Sequence, residues 1–173
     1  PTDPQNHLGC LATPLHCAHV RRCVEQAQQE GARCVLSGPV SDDPQNCFYP
    51  PTIFDGVTPD MTIARQEVFG PVLSVLTFRD TDDAVRLAND CEFGLMANIW
   101  TADGGRALHV ARQLRAGRIA VNGGGALRPN VPVFGYKLSG IGAELGFAET
   151  VHEYTNSKSI LYSLATEKTS WPE

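Results

Sequence analysis

Helix-length and strand-length apolar segments take turns along this chain, with glycine or proline at most of the joints. That alternation constrains the fold more than any single residue does. It predicts an α/β domain, an open and mostly parallel sheet covered by helices. Thr13-Pro14 pairs a capping residue with proline at the first helical position. Leu15, Val20, Val24 and Ala27 then recur at helical spacing until Gly31. Asp80-Thr81 caps a second helix through Ala84, Val85, Leu87 and Ala88, closed by Gly94. Asp103 opens a third, through Ala107 and Leu114 to Ala116-Gly117. Strands are expected at Cys34–Leu36, Thr52–Phe54 with Val57, Val72–Phe78, Ala97–Thr101 and Arg118–Asn122. Ser41–Pro51 and Gly123-Gly124-Gly125 read as loops. A short helical piece through Ala148 and Val151 leads to a last strand, Ser159–Leu164, before the polar tail Glu167–Glu173. A strand added after the sheet is complete suits pairing with another chain's edge.

With 173 residues, 42% of them hydrophobic, the chain is one domain of ordinary size with material for a core. A formal charge of -5 argues against a nucleic-acid footprint, which needs a basic face. No apolar run reaches membrane-span length and no basic-then-apolar leader opens the chain, so no membrane partner is expected. The opening on Pro1 rather than Met sets the expectation of a fragment or a processed product. Six cysteines, Cys10, Cys17, Cys23, Cys34, Cys47 and Cys91, form no C-x-x-C pair. They are expected as reduced thiols in a cytoplasmic compartment. Cys10, His16, Cys17, His19 and Cys23 match no zinc spacing closely, so no metal site is expected.

One stretch carries chemistry. Arg65-Gln66-Glu67-Val68-Phe69-Gly70-Pro71-Val72 sets a carboxylate and an aromatic ring two residues apart on a turn. The turn stands at the mouth of the strand expected from Val72. An ionised Glu67 accepts both hydroxyls of a vicinal diol, and Phe69 offers a flat apolar face to a ring. The pairing suits the nicotinamide-ribose end of a dinucleotide. A solvated Glu67 and a core Phe69 would be the plain structural alternative.

Four stretches then resemble, in order and spacing, the C-terminal part of the NAD(P)-dependent aldehyde dehydrogenases. They are Pro51-Thr52-Ile53, Glu67-Val68-Phe69-Gly70-Pro71-Val72, Phe93-Gly94-Leu95 with Trp100-Thr101, and Val121-Asn122 followed by Gly135-Tyr136-Lys137-Leu138-Ser139-Gly140-Ile141-Gly142. Asp3-Pro4 with Gly9 resembles the family segment just after its nucleophile. The resemblance implies that Glu67 holds the nicotinamide ribose of NAD or NADP and that Phe69 packs beside the nicotinamide. It implies that Leu127 and Val133 face the aldehyde, and that residues 1–156 belong to the catalytic domain. Residues 157–173 would carry the oligomerisation strand, with Ser159–Leu164 joining a homo-oligomer. The implied reaction is aldehyde oxidation to a carboxylic acid through a cysteine thiohemiacetal.

In the family both the nucleophile and the general base lie upstream of the matching segment, so no catalytic residue is expected in this chain, and the chain alone is expected to be inactive. The other function the sequence allows is a stand-alone, non-catalytic assembly domain. Two departures from the family stand out. Phe134 fills a position where the family usually has glycine, and Ala143-Glu144 replaces the common Arg-Glu.

Overall fold

The computed structural model describes residues 5, 7–43, 45–123 and 127–162. The fold is α/β. Helix α1 spans Pro14–Gln29, with the Thr13 hydroxyl accepting from the His16 amide at 3.1 Å. Cys17, Val20, Val24 and Ala27 line its buried stripe, and Gly31 ends it at φ 97°, a conformation that favours glycine. Strand β1 (Arg33–Leu36) runs antiparallel to β2 (Thr52–Asp55), with an irregular register between Cys34 and Leu36. The single-turn helix α2 (Thr62–Arg65) precedes β3 (Val72–Ser74), which pairs parallel with β2, Ile53 opposite Leu73. The Glu30 carboxylate at the end of α1 accepts from the Thr62 amide at 2.7 Å and the Thr62 hydroxyl at 2.6 Å. It thereby binds the start of α2 to the end of α1. Phe54, Val20, Thr52 and Cys17 are the largest fully buried side chains, in a core shared by α1, α2 and the β1–β2–β3 sheet.

The second half continues with α3 (Thr81–Asn89), β4 (Phe93–Gly94), β5 (Met96–Ile99), α4 (Gly104–Gln113) and β6 (Arg118–Val121). Asp80 and Asp103 cap α3 and α4. Strands β5 and β6 pair parallel and in register across α4, from Met96 opposite Arg118 to Ile99 opposite Val121. Then come β7 (Val133–Phe134), β8 (Tyr136–Lys137), β9 (Ala143–Glu144) and α5 (Phe147–Glu153). Strand β8 pairs antiparallel with β4, and β7 antiparallel with β9. No helix among the described residues is long and apolar enough to cross a membrane.

The structure departs from the expected open sheet. The described residues form one mixed three-stranded sheet and three two-stranded ones. A strand pairs parallel where a helix crosses between it and its neighbour, as at β2–β3 and β5–β6. It pairs antiparallel where a loop returns it, as at β1–β2. The strand expected over Val72–Phe78 is three residues long, although the Val75 amide still donates to the Phe54 carbonyl at 2.8 Å. Helix α3 ends at Asn89, and Gly94, expected to close it, lies in β4. A Cβ on Gly94 would meet the Arg115 carbonyl oxygen at 2.4 Å, so glycine serves a close backbone approach there. Helix α4 ends at Gln113, with Leu114 already extended. Residues 159–162 lie in no strand of this chain and are exposed. Asp3, Pro4, Gly124, Gly125, Ser163, Leu164 and Glu167–Glu173 lie outside the described residues.

Asp83 is the buried carboxylate of α3. It is 8% exposed and is gripped by Arg86 at 2.8 Å and Arg79 at 3.2 Å, the Arg79 amide donating as well. The Arg86 guanidinium first, then Arg79, holds its carboxyl down from 3.8 to about 2. A depressed carboxylate stabilises the fold above its unfolded value and loses that contribution as pH falls through the folded one. Asp83→Asn should therefore lower the unfolding midpoint at pH 7. The gap to the parent should close between about pH 4 and pH 2 in acid-denaturation curves. A gap independent of pH would overturn this reading.

Candidate functional site

The Glu67–Phe69 turn is held from both ends. The Gln66 amide, at the end of α2, donates to the Thr62 carbonyl, and the Pro71 carbonyl accepts from the Thr52 amide of β2 at 2.8 Å. Between them Val68 packs on the core while Glu67 and Phe69 are exposed. Gly70 lies against α1, where a Cβ would meet Val20 Cγ2 at 2.8 Å. Phe69 takes φ 53°, the left-handed region that a bulky side chain rarely occupies, and its ring is 74% exposed. A strained, exposed aromatic thus stands next to an exposed carboxylate. It is unlike the plain alternative of a core Phe69.

Residues two apart on an extended chain share a face. The left-handed turn at Phe69 breaks that period, and the two side chains line different cavities. Glu67 borders a cleft of about 180 Å³ with Phe93, Leu95, Met96, Arg115 and Ser139. Phe69 borders one of about 330 Å³ with Leu8, Cys10, Leu11, Tyr49 and Pro71. Leu127 and Val133 are brought together in a larger open cleft of about 1020 Å³, with Tyr154 and Ile141. Leu95 and Ser139 line both this cleft and the cleft of Glu67.

The wall of the Glu67 cleft is braced by contacts that the sequence does not show. Lys137 Nζ donates to the Asn89 and Cys91 carbonyls at 3.0 and 2.9 Å, covering the carboxyl end of α3. Asn89 Oδ1 accepts from the Arg115 amide at 2.7 Å, and its Nδ2 donates to the Gln113 carbonyl at 2.9 Å, tying α3 to the end of α4. Ser139 Oγ accepts from the Gly94 amide at 2.9 Å. Lys137 and Ser139 stand inside the quoted Gly135–Gly142 motif, but only their partners reveal what they hold. Asn122, at φ 50°, closes the β5–β6 end by accepting from the Thr101 amide at 2.9 Å and donating to its carbonyl at 2.7 Å.

The Phe134 departure puts no strain on Phe134 itself. Phe134 is an extended strand residue opposite Ala143, and the left-handed conformation falls on Lys137 instead. Gly135 keeps the tight approach, since a Cβ there would meet the Ser139 carbonyl oxygen at 2.7 Å. Burial pushes the Cys23 and Cys47 thiols up, the direction opposite to that of an activated nucleophile. His19 Nε2 and Cys23 Sγ share a face of α1 at 3.5 Å. Among the described residues no three His, Cys, Asp or Glu side chains converge on a point that could hold a metal ion.

The sequence profile of the aldehyde dehydrogenase family matches residues 1–160. The chain belongs to that family. It is 41% identical over 160 residues to a betaine aldehyde dehydrogenase of Cereibacter sphaeroides, covering 92% of this chain and 33% of that protein. The crystal structure of an NAD-dependent aldehyde dehydrogenase from Sinorhizobium meliloti superposes with a TM-score of 0.90 at 40% identity, over 98% of this chain and 33% of the other. An indole-3-acetaldehyde dehydrogenase of P. syringae, in complex with NAD+, superposes with a TM-score of 0.86 at 38% identity, over 91% of this chain and 32% of the other. The chain thus spans about a third of the length of these aldehyde dehydrogenases.

Proposed function

We propose that this chain is the C-terminal part of an NAD(P)-dependent aldehyde dehydrogenase, contributing the nicotinamide-ribose contact and the mouth of the aldehyde tunnel. The observation that carries the reading is the exposed Glu67–Phe69 pair, on a turn pinned between α2 and β2, in a chain of this family. NAD+ or NADP+, when bound, supplies the hydride acceptor. The residues present suit that group. An exposed, acceptor-only carboxylate can take both ribose hydroxyls, and an exposed ring can stack on a heteroaromatic face. Leu127 and Val133 give the neighbouring cleft an apolar lining, which suits the body of an aldehyde. The cysteine that forms the thiohemiacetal, and the base that activates water for its release as acid, belong to the longer polypeptide. Residues 1–156 carry the catalytic-domain portion and residues 157–173 the assembly segment. Six free thiols suit a cytoplasmic protein.

The 173-residue chain by itself should form no NADH or NADPH from aliphatic or aromatic aldehydes, whereas the longer polypeptide should. Turnover by the purified chain that is lost on thiol alkylation would overturn this assignment of the nucleophile.

The assembly segment gives a second expectation. Ile160, Leu161 and Tyr162 are among the most exposed large apolar residues of the chain. Bare apolar surface and unpaired backbone both favour a partner. Light scattering should find the chain as a homo-oligomer, and deletion of the residues after Lys158 should lower its mass. A folded monomer whose mass ignores the deletion would count against Ser159–Leu164 as the joining strand.

A further inference from the structure

We propose that Cys10 and Cys47 form an oxidisable dithiol, which closes to a disulfide and clasps the segment before α1 to the loop before β2. The Leu11 amide donates to the Cys47 carbonyl at 2.7 Å. In a trans peptide the amide hydrogen of Leu11 lies on the same side as the preceding Cα, so the two Cα atoms of Cys10 and Cys47 are at most roughly 6–7 Å apart. A disulfide spans about 4.4–6.8 Å between Cα atoms. Cys10 is exposed and Cys47 half-buried, so an oxidant in solution reaches both.

The third thiol nearby is held apart. Cys17 is 2% exposed and donates its S–H to the Asn46 carbonyl at 3.5 Å. Cys23 contacts His19, Cys34 the Leu36 carbonyl and Cys91 the Phe93 carbonyl, and Cys47 makes a local contact of the same kind with the Gln45 carbonyl at 3.6 Å, so it is the backbone bond from Leu11 that singles out Cys10 and Cys47. Burial raises the Cys47 thiol first, and its neighbours Cys17 and Cys10 raise it further, so the pair reacts faster in mildly alkaline solution. On oxidation one S–S bond forms and two S–H bonds break. The two electrons and two protons pass to the oxidant, for which the azo compound diamide serves, its N=N bond being reduced to the hydrazine. Cys10 and Leu11 on one side and Tyr49 on the other line the Phe69 cavity, so the clasp fastens two walls of that cavity together.

The test treats the purified chain with diamide at mildly alkaline pH and low concentration, then maps its peptides by mass spectrometry. The expected result is a linked peptide pair through Cys10 and Cys47, with Tm raised by several degrees and restored by reductant. C10S and C47S should each abolish both effects, and C17S should leave both. A bond through Cys17 or Cys34 in place of this pair would overturn the proposal. So would a map in which Cys10 and Cys47 both remain open to alkylation. The map of the unsubstituted chain decides alone if a variant fails to fold.

Discussion

Phe54→Ala should lower the stability of the chain by about 3–5 kcal/mol. The ring is fully buried in β2, the middle strand of the three-stranded sheet, among Val20, Val24 and Ile63. Truncation removes a large apolar group from water-free surroundings and leaves a cavity that the sheet cannot collapse around, because β2 is hydrogen-bonded on both sides. A domain of this kind has only about 5–15 kcal/mol in all. Urea unfolding should show a midpoint shifted far down, with the slope little changed. A loss below about 1 kcal/mol, the size of an ordinary substitution, would mean that the core is centred elsewhere.

Glu67→Ala, made in the full-length polypeptide, should leave the fold intact and slow hydride transfer. The carboxylate is exposed and supports no packing, so stability should hardly move. Losing a charge-assisted contact to a ribose diol is worth about 1.5–3 kcal/mol, or roughly 10- to 150-fold in rate. The loss should fall on the rate, with binding of the adenosine half little affected. Single-turnover measurements separate the two. Unchanged rate and unchanged cofactor constants would reduce Glu67 to a surface carboxylate.

The caps at Thr13, Asp80 and Asp103 were legible in the sequence because a cap is local: one side chain answers an amide three residues on. The α/β class, helices α1, α3, α4 and α5 and strands β1, β2, β3, β5 and β6 were legible for the same reason, since periodicity is a property of neighbours, while the short pieces α2, β4, β7, β8 and β9 were not. The ends were not. Nothing near Gly94 in sequence tells that Arg115 will press its carbonyl against it, and so it reads as a helix stop. The tie between Lys137 and the Asn89 carbonyl crosses 48 positions and leaves no local mark. At the candidate site the sequence offered Glu67 and Phe69, and the structure places both at the surface. The sequence could not show that Phe69 would take φ 53° and border a cavity other than that of Glu67. The mixed sheets follow from which connections are loops and which are helices, and the loop Ser41–Pro51 returns β2 against β1 without a crossover.

Leu95 and Ser139 border the cleft of Glu67 and the cleft of Leu127 and Val133 alike. A party wall of this sort makes the two compartments tenants of one structure. Enlarging the apolar cleft at Leu95 also redraws the room beside Glu67. Replacing Ser139 releases the Gly94 amide, and with it the short strand that borders the cleft of Glu67. On the proposed reading, selectivity toward the aldehyde and grip on the ribose would therefore be inherited together. A lineage, or an engineer, that wants to change one without the other has to work from the far sides, at Leu127 or Tyr154 for one and at Met96 or Leu114 for the other.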